Sequence, residues 1–330
     1  MRAVVIQDFG PLDSHKLEEL ESPQPSKGEV LIDVHAIGIN FPDTLMMQGL
    51  YQIKPERPFT PGRDVAGVVS AVGEGVTAVK PGDRVMALVP YGAYAEQCIA
   101  PEARCFPLPD ELDFVTAAGM LTVYLTAWVA LMVRGSYQPG EKVLVLGASG
   151  GVGLAAVQIA KAHGAVVVGA STSEARGKIV LENGADAVID LSVDDIGEGL
   201  RRQVFAAVGK EGVDIVLDPV GGDIFTAALR AMAFAGRIVC IGFVAGIPAA
   251  RPNYFNVKNL TLAGMALDLH FRFKPEIIQR AAADIFTLYK EGKIKPFVEA
   301  TYALEDFQDA LARFTETKSP GKLVLTTGRG

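Results

Sequence analysis

The sequence predicts an α/β protein in which a doubly wound parallel sheet is joined to a separate β-rich module. Three observations carry that prediction. Residues 141–164 hold a run of apolar residues over 143–146, short enough for a buried strand. A turn follows, Gly147-Ala148-Ser149-Gly150-Gly151-Val152-Gly153, and then a helix former over 154–163 that stops at Gly164. Strand and helix signals go on alternating to residue 264, and residues 1–112 read instead as short strands broken by turns.

Composition bounds the function classes. A chain of 330 residues is too long for one ordinary core, so two domains are expected. Its 49% hydrophobic and 21% charged content excludes a disordered chain. A net charge of −7 gives nucleic acid no general attraction, so no nucleic-acid partner is expected. No apolar run is expected to reach the roughly 18 residues needed to span a bilayer. Residues 1–10 begin directly on a strand pattern, without a signal-peptide core. Three scattered cysteines, Cys98, Cys105 and Cys240, fit a reduced, cytoplasmic setting better than a disulfide framework.

Taken in order, residues 29–36 alternate at period two, and residues 65–72 form a longer apolar strand. Turn signals precede a strand over 84–88, which makes a barrel-like module with little helix. The period changes at Asp113, and the almost wholly apolar residues 114–133 predict a buried helical connection. Beyond the glycine turn come a strand over 165–170, a helix over 173–183 and a strand over 187–190. A strand over 213–218, a helix over 223–233 and strands over 236–241 and 259–264 complete six strands. Two helices, 275–292 and 304–317, and a strand over 321–327 end the chain. They are too few to fold alone and are expected to pack back on the first module. The expected division is thus 1–118 with 267–330 around an inserted domain over 119–266.

Strand, glycine turn and helix make a cradle for a dinucleotide pyrophosphate, since glycines admit the phosphates and the helix N-terminus offers free N–H groups. The form here, Ala148-x-Gly150-x-x-Gly153, has alanine in the first glycine position. After the second strand an NAD site would show an acidic residue. This chain has Ser171, Thr172 and Ser173, then Arg176, a set that suits the 2′-phosphate of NADPH, with Lys178 as an alternative cation.

Five ordered motifs then resemble one family over essentially the whole chain. They are Gly38-Ile39-Asn40-Phe41-Pro42-Asp43-Thr44, Gln48-Gly49-Leu50-Tyr51, Pro61-Gly62-Arg63-Asp64-Val65-Ala66-Gly67, Lys80-Pro81-Gly82-Asp83-Arg84-Val85 and the glycine turn. The layout resembles the medium-chain dehydrogenases/reductases, and more narrowly their quinone oxidoreductase, zeta-crystallin-like branch. The resemblance implies a GroES-like catalytic domain, a Rossmann cofactor domain, NADPH as cofactor and no metal. In the alcohol-dehydrogenase branch a cysteine stands where this chain has Asn40, and a His-Glu pair where it has Arg63-Asp64. Asparagine and arginine do not serve as zinc ligands. The four cysteines of that branch's structural zinc loop are missing too, and His15, His35, His163 and His270 are not clustered in sequence.

By the same resemblance, cofactor contacts are expected from Asn40, Thr122, Ser149, Gly150, Gly151, Val152, Ser171, Arg176, Val220, Ile241, Gly242, Phe243 and Lys322. Leu191 replaces a tyrosine that often assists at the 2′-phosphate. Asn40 and Tyr51 are the expected catalytic residues: Asn40 donates its amide to the acceptor oxygen or to the cofactor carboxamide, and Tyr51 supplies a proton or a stacking face. Asp43 joins them as anchor of the loop, although a helix cap explains it equally. The function implied is NADPH-dependent quinone reduction. The alternatives are reduction of α,β-unsaturated carbonyls such as enoyl thioesters or alkenals, and a nucleotide-binding structural or RNA-binding role. A homodimer through residues 239–242 and 259–265 is expected.

Overall fold

Two sheets of opposite character follow from these patterns in the computed structural model, which describes residues 1–316 and 319–329. The chain opens with an antiparallel pair, β1 (Arg2–Val5) and β2 (Lys16–Glu19). Next come β3 (Glu29–Gly38), a short helix α1 (Phe41–Met47), β4 (Asp64–Val72), β5 (Arg84–Leu88), β6 (Gln97–Pro101) and β7 (Cys105–Pro107). Beyond the expected strands, α1 is new. Pro42 in its first turn and Asp43, reaching back to the Asn40 N–H, start it.

Helix α2 (Phe114–Trp128) runs on through a wider turn, Val129–Arg134. This corrects the expectation that no segment is long and apolar enough to cross a membrane: the 21 residues Phe114–Arg134 are, with mean hydropathy 1.7. Threonines break any strictly apolar count, yet they cost a helix little. Of the most apolar window, 78% is buried, the mark of a core helix.

Then strands and helices alternate: β8 (Lys142–Val145), α3 (Gly151–Ala162), β9 (Val166–Ser171), α4 (Glu174–Glu182), β10 (Ala187–Asp190), α5 (Ile196–Val208), β11 (Val213–Asp218), α6 (Gly222–Ala231), β12 (Met232–Cys240), α7 (Pro252–Lys258) and β13 (Thr261–Gly264). Helices α8 (Leu267–Phe273) and α9 (Pro275–Lys290) follow, then β14 (Val298–Ala303), α10 (Phe307–Glu316) and β15 (Lys322–Thr326). The helix expected over 304–317 is a 3-10 turn, Leu304–Asp306, leading into α10, and Thr317 lies outside the described residues.

The chain divides into two units, Met1–Thr122 with Pro296–Gly330, and Val123–Lys295. In the first, β14-β15-β3-β4-β5-β7 lie side by side with β6 also on β3, and one apolar cluster from Val4 to Leu325 fills the module. In the second, β10-β9-β8-β11-β12-β13 are all parallel. Counted along the chain, that is the 3-2-1-4-5-6 order of a doubly wound fold, whose ligands lie beyond the strand ends where the order reverses, between β8 and β11.

The return to the first unit starts at Pro296, not at 267 as the sequence suggests. Helix α9 is amphipathic and buries Ile278, Ala281, Ile285 and Leu288. Its Asp284 accepts from Trp128 Nε1 at 2.6 Å and lies 2.8 Å from His163 Nε2, while Gln158 brackets Lys295 with two hydrogen bonds of 2.8 Å. Those bonds hold 267–295 to the parallel-sheet unit.

Candidate active site

In the parallel-sheet unit, β8 delivers the glycine turn to the switch point and α3 begins directly after Gly150. A Cβ on Gly153 would lie 2.2 Å from the carbonyl oxygen of Gly147, so only glycine lets α3 close onto the turn. Ala148, in the position of the first fingerprint glycine, is buried, and its N–H donates to Ala170 O at 3.0 Å. Room for its methyl comes from Gly169 on β9, where a Cβ would sit 3.1 Å from the Ala148 Cβ and 2.4 Å from Val180 Cγ1. Ser149, Gly150, Gly151 and Val152 remain partly open at the N-terminus of α3, where backbone N–H groups and the helix dipole favour an anion.

At the end of β9, Ser171 is buried and its hydroxyl donates to Ser173 O at 3.2 Å, while Ser173 caps α4. The Arg176 guanidinium lies half-exposed on the first turn of α4 and donates to Thr172 Oγ1 at 3.3 Å. Lys178 turns away to Glu182, 3.9 Å distant. Arg176 is therefore the cation beside the hydroxyls.

At the end of β11, the buried Asp218 accepts from the N–H groups of Val220 (2.8 Å) and Gly221 (2.9 Å), and its carbonyl accepts from Ile241 N at 2.8 Å. Burial pushes the Asp218 carboxyl above its usual range, against those two N–H bonds. It thus ties together the loops after β11 and β12, from which Val220, Ile241, Gly242 and the exposed Phe243 project.

The β-rich unit gathers a second set. Asp64, the first residue of β4, is fully buried. Its Oδ1 accepts from Thr122 Oγ1 on α2 at 2.5 Å, and its Oδ2 accepts from Asn40 Nδ2 at 3.0 Å. The second Asn40 amide hydrogen goes to Gly38 O at 3.2 Å. Lys322, opening β15, is buried and donates to Asn40 Oδ1 at 2.8 Å and to Ile39 O; its Nζ lies 3.8 Å from Asp64 Oδ2. Burial pulls the Lys322 ammonium below its usual range, with Asp64 and Asp43 opposing the shift. The Asn40 amide, expected to donate to a ligand, thus has both hydrogens committed within the protein.

Asp43 is also fully buried. Its Oδ2 accepts from Asn40 N at 2.9 Å and from the Tyr94 hydroxyl at 3.3 Å, while Oδ1 has no hydrogen-bond partner among the described residues. Burial raises this carboxyl from 3.8 to about 7, with the Asn40 N–H, Lys322 and Arg63 pulling the other way. Burial also drives the Tyr94 phenol well above its ordinary value. Sequence reading missed Asp64, whose neighbours at 40, 122 and 322 come together only in three dimensions, and Tyr94, whose hydroxyl bonds Asp43. Tyr51 stands apart: it packs partly buried against the apolar cluster, and among the described residues no hydrogen bond joins its hydroxyl to this group.

Comparison with known proteins agrees with this architecture. Residues 26–110 match the alcohol dehydrogenase GroES-like domain, and residues 151–285 match the zinc-binding dehydrogenase domain. A quinone oxidoreductase-like protein 2 homolog of Nematostella vectensis is 36% identical over 99% of this chain and 89% of its own length. The structure of mycobacterial Rv1454c complexed with NADPH superposes with a TM-score of 0.92 at 33% identity, covering 99% of each chain. Escherichia coli quinone oxidoreductase complexed with NADPH gives 0.91 at 29% identity, covering 99% of this chain and all of the other.

Zinc, named in the second domain's description, does not fit these residues. At the positions of the catalytic ligands stand the Asn40 amide, already bonded on both ends, the Arg63 guanidinium and Asp64, whose carboxylate accepts from Asn40 and Thr122 and lies 3.8 Å from the Lys322 ammonium. Among the described residues no group of three His, Cys, Asp or Glu side chains could hold a metal.

Proposed function

This chain belongs to the medium-chain dehydrogenases/reductases, a family of oxidoreductases, and from that premise we propose that it reduces quinones with NADPH and without a metal. The observation that carries the reading is the corner at the end of β9, where Arg176 stands beside the Thr172 hydroxyl with Ser171 and Ser173 and no acidic residue takes the ribose position. That set answers a 2′-phosphate, and both solved relatives described here were complexed with NADPH.

NADPH, when bound, supplies a hydride. The chain's own residues have the tasks of binding and orienting. Ser149, Gly150, Gly151 and Val152 offer N–H groups to the pyrophosphate, Arg176 pairs with the 2′-phosphate, and the loops carrying Val220, Ile241, Gly242 and Phe243 line the ribose. In the β-rich unit, Asn40, Thr122 and Lys322 form one locked polar group, and Asp43 fixes the start of α1 beneath it. A quinone accepts hydride readily, so alignment and a local cation suffice where a carbonyl of lower reactivity would need a Lewis acid. Tyr51 remains a stacking or proton-supplying candidate.

Arg176→Ala is expected to weaken NADPH by about ten- to a hundredfold, the loss of one charge-assisted contact of roughly 1.5–3 kcal/mol, with NADH unchanged. Titration of the coenzymes by fluorescence measures both. An equal loss for the two would mean that Arg176 does not touch the 2′-phosphate.

The same reading includes a homodimer. Strand β13 is an edge with Leu262 44% exposed, and Phe234 and Val257 on the neighbouring β12 and α7 are 74% and 82% exposed. An open apolar edge invites a second copy across a two-fold axis. Light scattering at micromolar concentration is expected to give twice the chain mass; the mass of one chain would contradict the pairing.

A further inference from the structure

The loop that follows α1 carries Tyr51, and the segment between β1 and β2 holds it from outside. Both lie in the β-rich unit. Ile6 and Phe59 exchange backbone bonds of 2.8 and 3.3 Å, and Gly10 N donates to Met47 O at 3.2 Å. Gly49 has a φ of +70°, which suits glycine, and the Phe9 ring occupies its open side: a Cβ there would lie 2.9 Å from the ring. Phe9 also meets Phe59, with ring centroids 6.1 Å apart. The Arg57 guanidinium stacks over Phe9 at 4.9 Å and pairs with Asp8 at 2.6 Å. Residues 6–10 and 47–59 are thus two sides of one clasp.

His15 stands at the end of that clasp. It is only 4% exposed, and its Nε2 has no hydrogen-bond partner among the described residues. The chain around it is fixed from α10, where Gln308 Nε2 donates to Asp13 O at 2.9 Å and to His15 O at 2.8 Å. Burial pulls the imidazole below its ordinary 6.5, against the backbone of Gly10 and Met47 and the carboxylate of Asp13. The 3-10 turn therefore contributes Asp13, α1 a carbonyl and α10 a neutral amide; among the described residues no further charged group acts on the ring. A proton added to Nε2 becomes a buried N–H with nothing to receive it, a costly arrangement.

We propose that residues 6–15 are an acid-sensitive clasp, latched by the neutral, buried ring of His15, which holds the Tyr51 loop and releases it when that ring takes a proton. In the open state His15 meets water and binds a proton with ordinary affinity; in the closed state it binds one less readily. Closure is therefore favoured in full above pH 6.5 and weakens as pH falls below that, until the closed-state value is passed. The latch acts whichever acceptor meets Tyr51, and it can be tested with neither coenzyme nor acceptor present.

Hydrogen exchange at about pH 8 and about pH 5, expressed as protection factors so that the intrinsic rate divides out, reads the clasp at the amides of Gly10, Tyr51 and Phe59. In the wild type their protection is expected to fall several-fold at the lower pH, with about thirtyfold as the ceiling that an ordinary imidazole sets over that interval. Amides of β4 should not follow. His15→Asn carries no charge at any pH, and its protection should be the same at both. Should that variant not fold, an NMR titration of the wild-type His15 ring replaces it: the ring should titrate below its ordinary value, and the Tyr51 and Phe59 amide signals should shift along the same curve. Equal wild-type protection at both pH values, the same loss in His15→Asn, a parallel loss in β4, or a His15 ring that titrates at or above its ordinary value would each overturn the latch. None of these results bears on NADPH binding.

Discussion

Asp43→Asn is expected to remove a loss of stability that the wild-type protein suffers as pH rises from about 4 to about 7. Burial lifts the Asp43 carboxyl from 3.8 to about 7 in the folded state. The folded protein therefore holds this proton more tightly than the unfolded chain does. The stabilisation is complete below 3.8, fades as pH climbs, and is gone once pH passes the folded value near 7. Each tenfold of proton affinity is worth about 1.4 kcal/mol, so the full window amounts to about 4 kcal/mol, of which roughly 2–3 kcal/mol falls between pH 5 and pH 8. An asparagine carries no charge at any pH and keeps an oxygen for the Asn40 N–H. Urea midpoints at pH 5 and pH 8, followed by far-UV circular dichroism, should show the variant gaining on the wild type at the higher pH. Parallel behaviour of the two proteins would mean that Asp43 is charged throughout and stabilised by Lys322 and Arg63.

Lys322→Met is expected to destabilise the β-rich unit by about 3–5 kcal/mol, the penalty of leaving a buried charge without its partner. Methionine fills the stem of the lysine but removes the cation beside Asp64 and the donor to Asn40 Oδ1 and Ile39 O. It would also push the Asp43 carboxyl higher still, since Lys322 is among the groups that pull it down. Hydrogen exchange of the β3 and β4 amides reads this directly. Protection there should fall by about two to four orders of magnitude, with the β8 and β11 amides less affected. A loss below about 1 kcal/mol at β3 and β4 would show that Asn40, Thr122 and Asp64 hold one another without the ammonium.

Local patterns made much of this protein legible. The turn after β8 could be read because its meaning is contained in seven consecutive residues, and the corner with Ser171, Thr172 and Arg176 because it follows one strand. Ala148 shows where such reading stops. Taken alone it breaks the glycine fingerprint, and the compensation is Gly169, 21 positions later on the adjacent strand. Helix α1 was hidden because seven residues give hardly two turns of periodicity, whereas its cap, Asp43 reaching back to Asn40, is a contact and not a pattern. The extent of α2 with its continuation was legible as an apolar run over 114–133, but not that one of its threonines, Thr122, is a partner of Asp64.

The candidate site divides in the same way. Asn40, Thr122 and Lys322 could be named from the family resemblance, but not that one carboxylate takes a bond from two of them and the charge of the third. Asp64 entered the sequence reading only as half of a missing zinc motif. Its burial at the head of β4 turns the absence of ligands into a different device, in which a lysine, an asparagine and a threonine are held by an internal anion.

The central claim is hydride transfer from NADPH to a quinone without a metal. It is tested most directly by following NADPH oxidation spectrophotometrically in the presence of a chelator, with a panel of quinones beside crotonyl thioesters and alkenals. The account predicts turnover with quinones that chelation leaves unchanged, and faster oxidation of NADPH than of NADH. Turnover confined to the thioesters or alkenals, or activity that returns only on addition of zinc, would contradict it.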